Sequence, residues 1–298
     1  MNKQRSKIVF LFAALLWGSS YAIQKPVVDV IDPVSFTFWN FFLSGCLFLF
    51  YALWKNVPLL YRFREGIILG VFLSGIEIFE MVGLKLTSSA DTVFLTNIGM
   101  LMIPFVSYLF FRRGVKVADG IAIVIASMGM YLLVGGVHGF NLGDGIVLFS
   151  SVASAFYFIY SERFEGERAS HITTLCVQQF FIISLICLIW GKFSHLSFAI
   201  DAPYRFIILW QTLLFTTVPY AIIQWASQYA DEMVAAIYDG VVEPLTGGLL
   251  SWVVFHEATT LIKVFGGALM ILSFVFSALI TKRHFIYKLY QNALLRLK

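Results

Sequence analysis

The chain has 298 residues, 59% of them hydrophobic and only 13% charged, with a formal net charge of +4. A soluble domain carries roughly 25% charged residues, so a soluble globular protein is excluded. Apolar stretches of about 20 residues, each enough to cross about 30 Å of hydrocarbon as a helix, recur along the whole length and leave no room for a separate soluble domain.

Taken in order, the stretches predict ten transmembrane helices, at 7–26, 34–53, 66–84, 90–111, 117–136, 142–161, 173–190, 206–226, 233–255 and 261–280, joined by short polar connectors. Lys and Arg are retained on the cytoplasmic side during insertion. With the N-terminus inside, cytoplasmic segments hold 16 of the 21 basic residues, and the other side holds Lys25, Lys85, Lys192, Arg205 and Lys263. This bias predicts cytoplasmic N- and C-termini; the expected location is a bacterial inner (plasma) membrane. It also accounts for the net charge without nucleic-acid binding.

The first 22 residues imitate a secretory signal, with a basic start, the apolar run IVFLFAALLW and a small-residue SYA. The helical pattern runs on to Lys25, and removal of this span would invert the charge argument for all that follows, so it is read as retained. Cys46, Cys176 and Cys187 all fall inside spans, an odd set read as packing rather than as a disulfide framework. The segment 282–298 is basic and amphipathic; it either lies on the anionic inner leaflet or frays as a tail.

Sliding the chain by 144 residues lays LTSSADTVFL (86–95) over ADEMVAAIYD (230–239), with later spans in step. The fold class expected is therefore an all-α polytopic membrane protein built of two inverted five-helix repeats, 1–140 and 141–281. An odd number of spans per half inverts the second half, an arrangement common in secondary transporters, with the substrate site at the midplane between the halves. Stripes of small residues, Ala14/Gly18/Ala22, Ala118/Ala122/Ala126 and Gly247/Ser251, allow the close helix packing that such a bundle needs.

The ninth span contains YDGVVEP, residues 238–244. Glu243 falls near mid-bilayer, with Asp239 one turn toward the cytoplasm on the same face. A carboxylate at that depth costs about 3 kcal/mol or more to insert, so it faces a cavity or a partner. Pro244 removes a helical N–H, freeing the carbonyl of Gly240, and Gly240 lets the backbone bend. A helix break is expected there, of the kind that holds ions or substrates in transporters. In the third span, GIEIFEMVG places Glu77 and Glu80 on one face. Acids on adjacent helices in a low-dielectric site cannot all be ionised, so Glu77 and Glu243 are candidates for proton coupling, with Glu243 favoured. The bland alternatives are that Glu80 is hydrated near Lys85 and that Glu243 bonds a backbone group.

Other candidates for substrate binding are Trp17 and Tyr21 in the first span, Trp39 and Asn40 in the second, Gln178 in the seventh, Gln224 in the eighth and Tyr238 beside Asp239. Aromatics in spans are more often packing or an interfacial belt, and an amide can be satisfied by helix-to-helix bonding. Asp91, Asp231, Glu232 and Glu257 lie near helix ends and read as solvated or capping.

WGSSYAIQK (17–25), QWASQYADEMVAA (224–236) and EPLTGGLLSWVVFHE (243–257), in order on ten spans, resemble the EamA-type members of the drug/metabolite transporter superfamily over nearly the whole chain. The resemblance implies ten helices around a central cavity, alternating access, and export of amino acids and other metabolites. It carries Trp17 and Glu243 over as motif positions. Many members have an Arg in the second span where this chain has Asn40, which puts binding of an anionic substrate group in doubt.

The function read from the chain is gradient-driven transport of small metabolites, amino acids or related amines, as an exporter with proton coupling open against uniport. The lipid bilayer and a small-molecule substrate are its partners, with no cofactor and no metal. An embedded enzyme is the alternative class, but no HExxH, Gly-x-Ser-x-Gly, P-loop or magnesium-binding acid pair is present. A receptor or scaffold does not explain mid-membrane acids.

Overall fold

The computed structural model describes residues 3–112, 114–115, 117–136, 139–164, 169–194, 201–227, 238–254, 256 and 260–296. The described residues are helix and turn, without a strand. In chain order the helices are α1 (Lys3–Val30), α2 (Pro33–Trp54), α3 (Phe63–Leu86), α4 (Ser89–Phe111), α5 (Val117–Leu133), α6 (Leu142–Ser161), α7 (Ala169–Ser194), α8 (Ala202–Trp210), α9 (Val218–Ser227), α10 (Glu243–Val254) and α11 (Leu261–Arg296). A π-helical turn, Gln211–Thr217, joins α8 to α9, and another, Tyr238–Val242, leads into α10.

Among the described residues, seven helical stretches are long and apolar enough to cross a membrane, and Val117–Leu133, Gly240–Val254 and Leu261–Ser277 are shorter apolar helices. Large apolar side chains such as Phe50, Leu109 and Phe149 face outward, as hydrocarbon contact requires.

Local chemistry sets the ends. Asp32 caps α2, accepting from Ser35 N at 2.8 Å with Pro33 in the first turn, and the Ser88 hydroxyl caps α4, accepting from Asp91 N at 3.0 Å. A reciprocal capping box of Asn141 and Asp144 opens α6. At the other end of α3, Lys25 Nζ donates to the carbonyls of Leu84 at 2.9 Å and Lys85 at 3.3 Å, a cation where the helix dipole favours one. No Gly or Pro follows Gly267, and α11 runs unbroken to Arg296 through the segment expected as a separate tail.

Packing follows the small-residue stripes. A Cβ at Gly18 would lie 2.5 Å from the Glu243 carbonyl oxygen and 2.8 Å from Thr246 Cβ, so only glycine lets α1 meet α10 there. Ala122 and Ala126 are buried with Leu101 and Phe274 where α4, α5 and α11 meet. The central apolar core draws on α1, α2, α3, α4, α6 and α11 through residues such as Val28, Phe36, Leu84, Leu95, Val147 and Met270. Cys46 is exposed on the hydrocarbon side, whereas Cys176 and Cys187 are buried free thiols.

Candidate functional site

The acid of α3 that matters most for access is Glu77. On this helix Ile68 and Leu86 are exposed. Glu77 is nine residues from each, about two and a half turns, so it lies on the side opposite the lipid-facing stripe. It is nevertheless half-exposed. Trp17 repeats the pattern on α1: it is half-exposed and nine residues from both Ile8 and Pro26, which are exposed.

The rings on these inner faces are tied together. Trp17 meets Tyr220 of α9 edge to face at 5.7 Å between centroids, and Tyr220 meets Phe180 of α7 at 5.0 Å and 90°. Tyr220, Tyr157 and Tyr21 all lie within electrostatic range of Glu77. Tyr157 donates to Gln179 Oε1 at 2.9 Å. No hydrogen bond reaches Glu77 among the described residues.

The neighbouring acids are enclosed. Glu80, one turn on, is buried and lies within electrostatic range of Tyr21, rather than at the outer surface near Lys85. Glu243, at the first turn of α10, is 9% exposed. Its Oε1 accepts from the Tyr21 hydroxyl at 3.5 Å and from Asn97 Nδ2 at 3.4 Å, both long. Asn97 Nδ2 also donates to the Val93 carbonyl at 2.9 Å. Three carboxyl groups from two helices thus lie within electrostatic range of one tyrosine.

In the stretch where a helix break was expected, a π turn, Tyr238–Val242, stands immediately before Glu243. Phe274 of α11 packs on Gly240, where a Cβ would meet its ring at 2.9 Å. π turns recur at functional sites because an extra residue re-aims the side chains that follow.

The structure brings Trp17, Tyr21, Glu77 and Glu243 together. Asn40 is buried and pairs with Thr216 of the first π turn, Nδ2 to Oγ1 at 2.9 Å, a helix-to-helix bond. Trp39 packs against Phe38 and Phe42. Gln178 donates to the carbonyls of Leu59 at 2.8 Å and Tyr61 at 3.1 Å, fastening the α2–α3 connector to α7. The side chains of Gln224, Tyr238 and Asp239 lie outside the described part, as do Asp231, Glu232 and Glu257. Asp91 is buried rather than solvated, with Lys263 Nζ 3.7 Å away.

Tyr220, Tyr157 and Asn97 were not singled out by sequence. Asn97 carried a usable signal, an amide within an apolar span, of the same kind as the glutamines. Tyr220 carried none, being one of 13 tyrosines in an aromatic-rich chain.

The EamA-like transporter family model matches residues 5–135 and again 141–279. An uncharacterized transporter of Archaeoglobus fulgidus is 26% identical over 266 residues, 89% of this chain and 83% of that protein. An S-adenosylmethionine/S-adenosylhomocysteine transporter of Chlamydia muridarum is 29% identical over 137 residues, 43% of this chain and 42% of that protein. A solved crystal structure at 16% identity superposes with a TM-score of 0.67, covering 95% of this chain and 99% of its own, a likeness of fold.

Proposed function

The chain belongs to the EamA-like transporter family, a membrane transporter of small molecules rather than an enzyme, and we propose that it exports amino acids or related amines by proton-coupled alternating access. One observation carries this reading: the Glu77 carboxyl, which no hydrogen bond reaches among the described residues, lies within electrostatic range of Tyr220, which packs edge to face on Trp17, and of the buried Glu80. A cationic amine gains from a carboxylate and from ring faces together, the more so where water is sparse. The same acids, when empty, escape the cost of a charge at membrane depth by taking up a proton. Proton and amine then exclude one another, which is the requirement for antiport.

Ten spans in two inverted halves, with both termini cytoplasmic, provide the frame. The twofold family match supports that frame, and the basic-residue bias supports its orientation. The name of the Chlamydia relative fits a substrate that includes an amino-acid group.

The test is efflux from inside-out vesicles or uptake into proteoliposomes, using a panel of labelled amino acids and amines with and without a pH gradient. Accumulation of one panel member that collapses with the gradient supports the reading. Equal flux in both conditions replaces antiport with uniport. For the frame, cysteines introduced at positions 56 and 140 should be labelled from opposite sides of the membrane.

A further inference from the structure

We propose that Gln24 of α1, with Gln211 and Thr212 of the first π turn, lines the path by which substrate leaves the interior toward the outer face, and that the structure holds this path closed. The inference rests on alternating access in the orientation set by the basic residues; it requires neither proton coupling nor an amine as cargo.

All three residues sit on the seam between α1 and the α8–α9 stretch. Thr216 and Thr217 of that stretch bond to Asn40 and Ser44 of α2 in rising order, so it runs parallel to α2. α2 reverses α1 after the short connection at Ile31 and Asp32, which makes the stretch antiparallel to α1. The Trp17–Tyr220 contact fixes the register. Gln24 lies seven residues from Trp17, and Thr212 and Gln211 lie eight and nine from Tyr220. All three therefore stand at one level, about 10 Å outward of the ring pair.

Polar atoms at this level lack partners. Gln24 Oε1, both amide atoms of Gln211 and the Thr212 hydroxyl are enclosed without a hydrogen bond among the described residues, and Gln211 is 1% exposed. A primary amide brings two donors and an acceptor, and leaving them unpaired in a low-dielectric interior is costly. Parting of the seam removes that cost, because the same atoms then meet water or a passing solute. The closed state is thus the one that carries the penalty, and the seam is biased toward opening.

The neighbouring contacts define the two bodies that part. The α8–α9 stretch is held to α2: Asn40 and Thr216 exchange bonds of 2.9 and 3.1 Å, and Thr217 Oγ1 donates to Ser44 Oγ at 3.1 Å. α1 is held elsewhere, to α3 through Lys25 Nζ on the Leu84 carbonyl at 2.9 Å and to α10 at Gly18. Across the seam itself the contacts are rings and apolar side chains, Trp17 on Tyr220 and, on the outward side, Ile208 in one cluster with Val27, Val28 and Ile31. Such contacts separate and re-form without exchanging hydrogen bonds. An uncharged lining also suits a path, since amides and a hydroxyl hydrogen-bond a passing polar group without the charge that would retain it.

The test reads water access at single positions of the full chain, with Cys46, Cys176 and Cys187 replaced by Ala. Gln24→Cys, Gln211→Cys and Thr212→Cys are each exposed, from the outer side of right-side-out vesicles, to a membrane-impermeant methanethiosulfonate reagent. Ser44→Cys, buried on the bonded side of the stretch, is the reference. With an open state populated in about 1% of molecules, the three seam positions are labelled to completion on long exposure while Ser44→Cys stays unlabelled. Protection of all three, labelling no faster than at Ser44→Cys, or labelling from the cytoplasmic side alone overturns the path. Gln211→Met gives a second reading that a folding defect does not mimic. Deleting unpaired amide atoms at similar size raises the thermal unfolding midpoint by a few degrees and slows labelling of Thr212→Cys. A lowered midpoint means that the amide is satisfied in the closed state, and overturns the proposal as well. These outcomes are read without substrate or a pH gradient, so failure of proton-coupled amine flux in vesicles is a separate result.

Discussion

Two buried acid sites in this molecule contrast sharply in how their hydrogen bonds are met. At the start of α6, Asp144 is fully buried and saturated: it accepts from the Thr87 hydroxyl and from Asn141 N at 2.9 Å, its own N–H donates to Asn141 Oδ1 at 3.1 Å, and Asn141 Nδ2 closes the ring on Thr87 at 2.9 Å. In the interior, Glu243 accepts from Asn97 Nδ2 at 3.4 Å and from the Tyr21 hydroxyl at 3.5 Å, both long, and Glu77 receives no hydrogen bond among the described residues. A saturated acid holds one conformation, because any movement leaves several groups unpaired. An acid with unused lone pairs in an accessible interior retains the capacity to take a proton or a cation. The first fastens the α3–α4 corner to α6; the second belongs to function.

The contrast can be broken by exchanging stability against transport. Asp144→Ala leaves the Thr87 hydroxyl and the Asn141 N–H without their acceptor and removes the reciprocal half of the capping box, an expected loss of about 3 kcal/mol in denaturant or thermal unfolding, with transport per folded molecule unchanged. Normal stability in this variant would remove the distinction between the two sites. Glu77→Gln should do the reverse. It leaves the unfolding transition in place and weakens binding of a permanently charged probe such as phenyltrimethylammonium about tenfold, roughly 1.4 kcal/mol, measured by calorimetry on purified protein. A neutral isostere should bind both forms alike.

Pro244→Ala is the smallest change expected. Restoring an N–H donor at the π turn lets α10 extend toward its preceding residues. Turnover in vesicles should slow several-fold at equal protein levels, with substrate affinity preserved. Unchanged turnover would make the turn a packing device around Phe274.

Much of this frame was legible in the sequence. The span expected at 142–161 coincides with α6, and that at 90–111 differs from α4 by one residue, because Asn141, Asp144 and Ser88 punctuate apolar runs with caps whose chemistry is local. Tyr21 and Glu243 could be nominated separately, since each is polar and deep in a span. Their meeting depends on Gly18 admitting α10 against α1, a contact between residues more than 220 positions apart. The π turn Gln211–Thr217 has no signature, because QTLLFTT contains neither Gly nor Pro and reads as ordinary apolar helix. Gln178 gave a true signal with the wrong partner. An amide in a span needs hydrogen bonds, and here the carbonyls of Leu59 and Tyr61 supply them.

Gradient-driven accumulation by Glu243→Gln proteoliposomes tests the central claim most directly, because the amide keeps the shape of the side chain and cannot titrate. The unmutated protein should accumulate substrate when a pH gradient is imposed, and Glu243→Gln should exchange substrate for substrate at a comparable rate while losing accumulation. Normal accumulation by Glu243→Gln would contradict the account and return this carboxyl to a structural role.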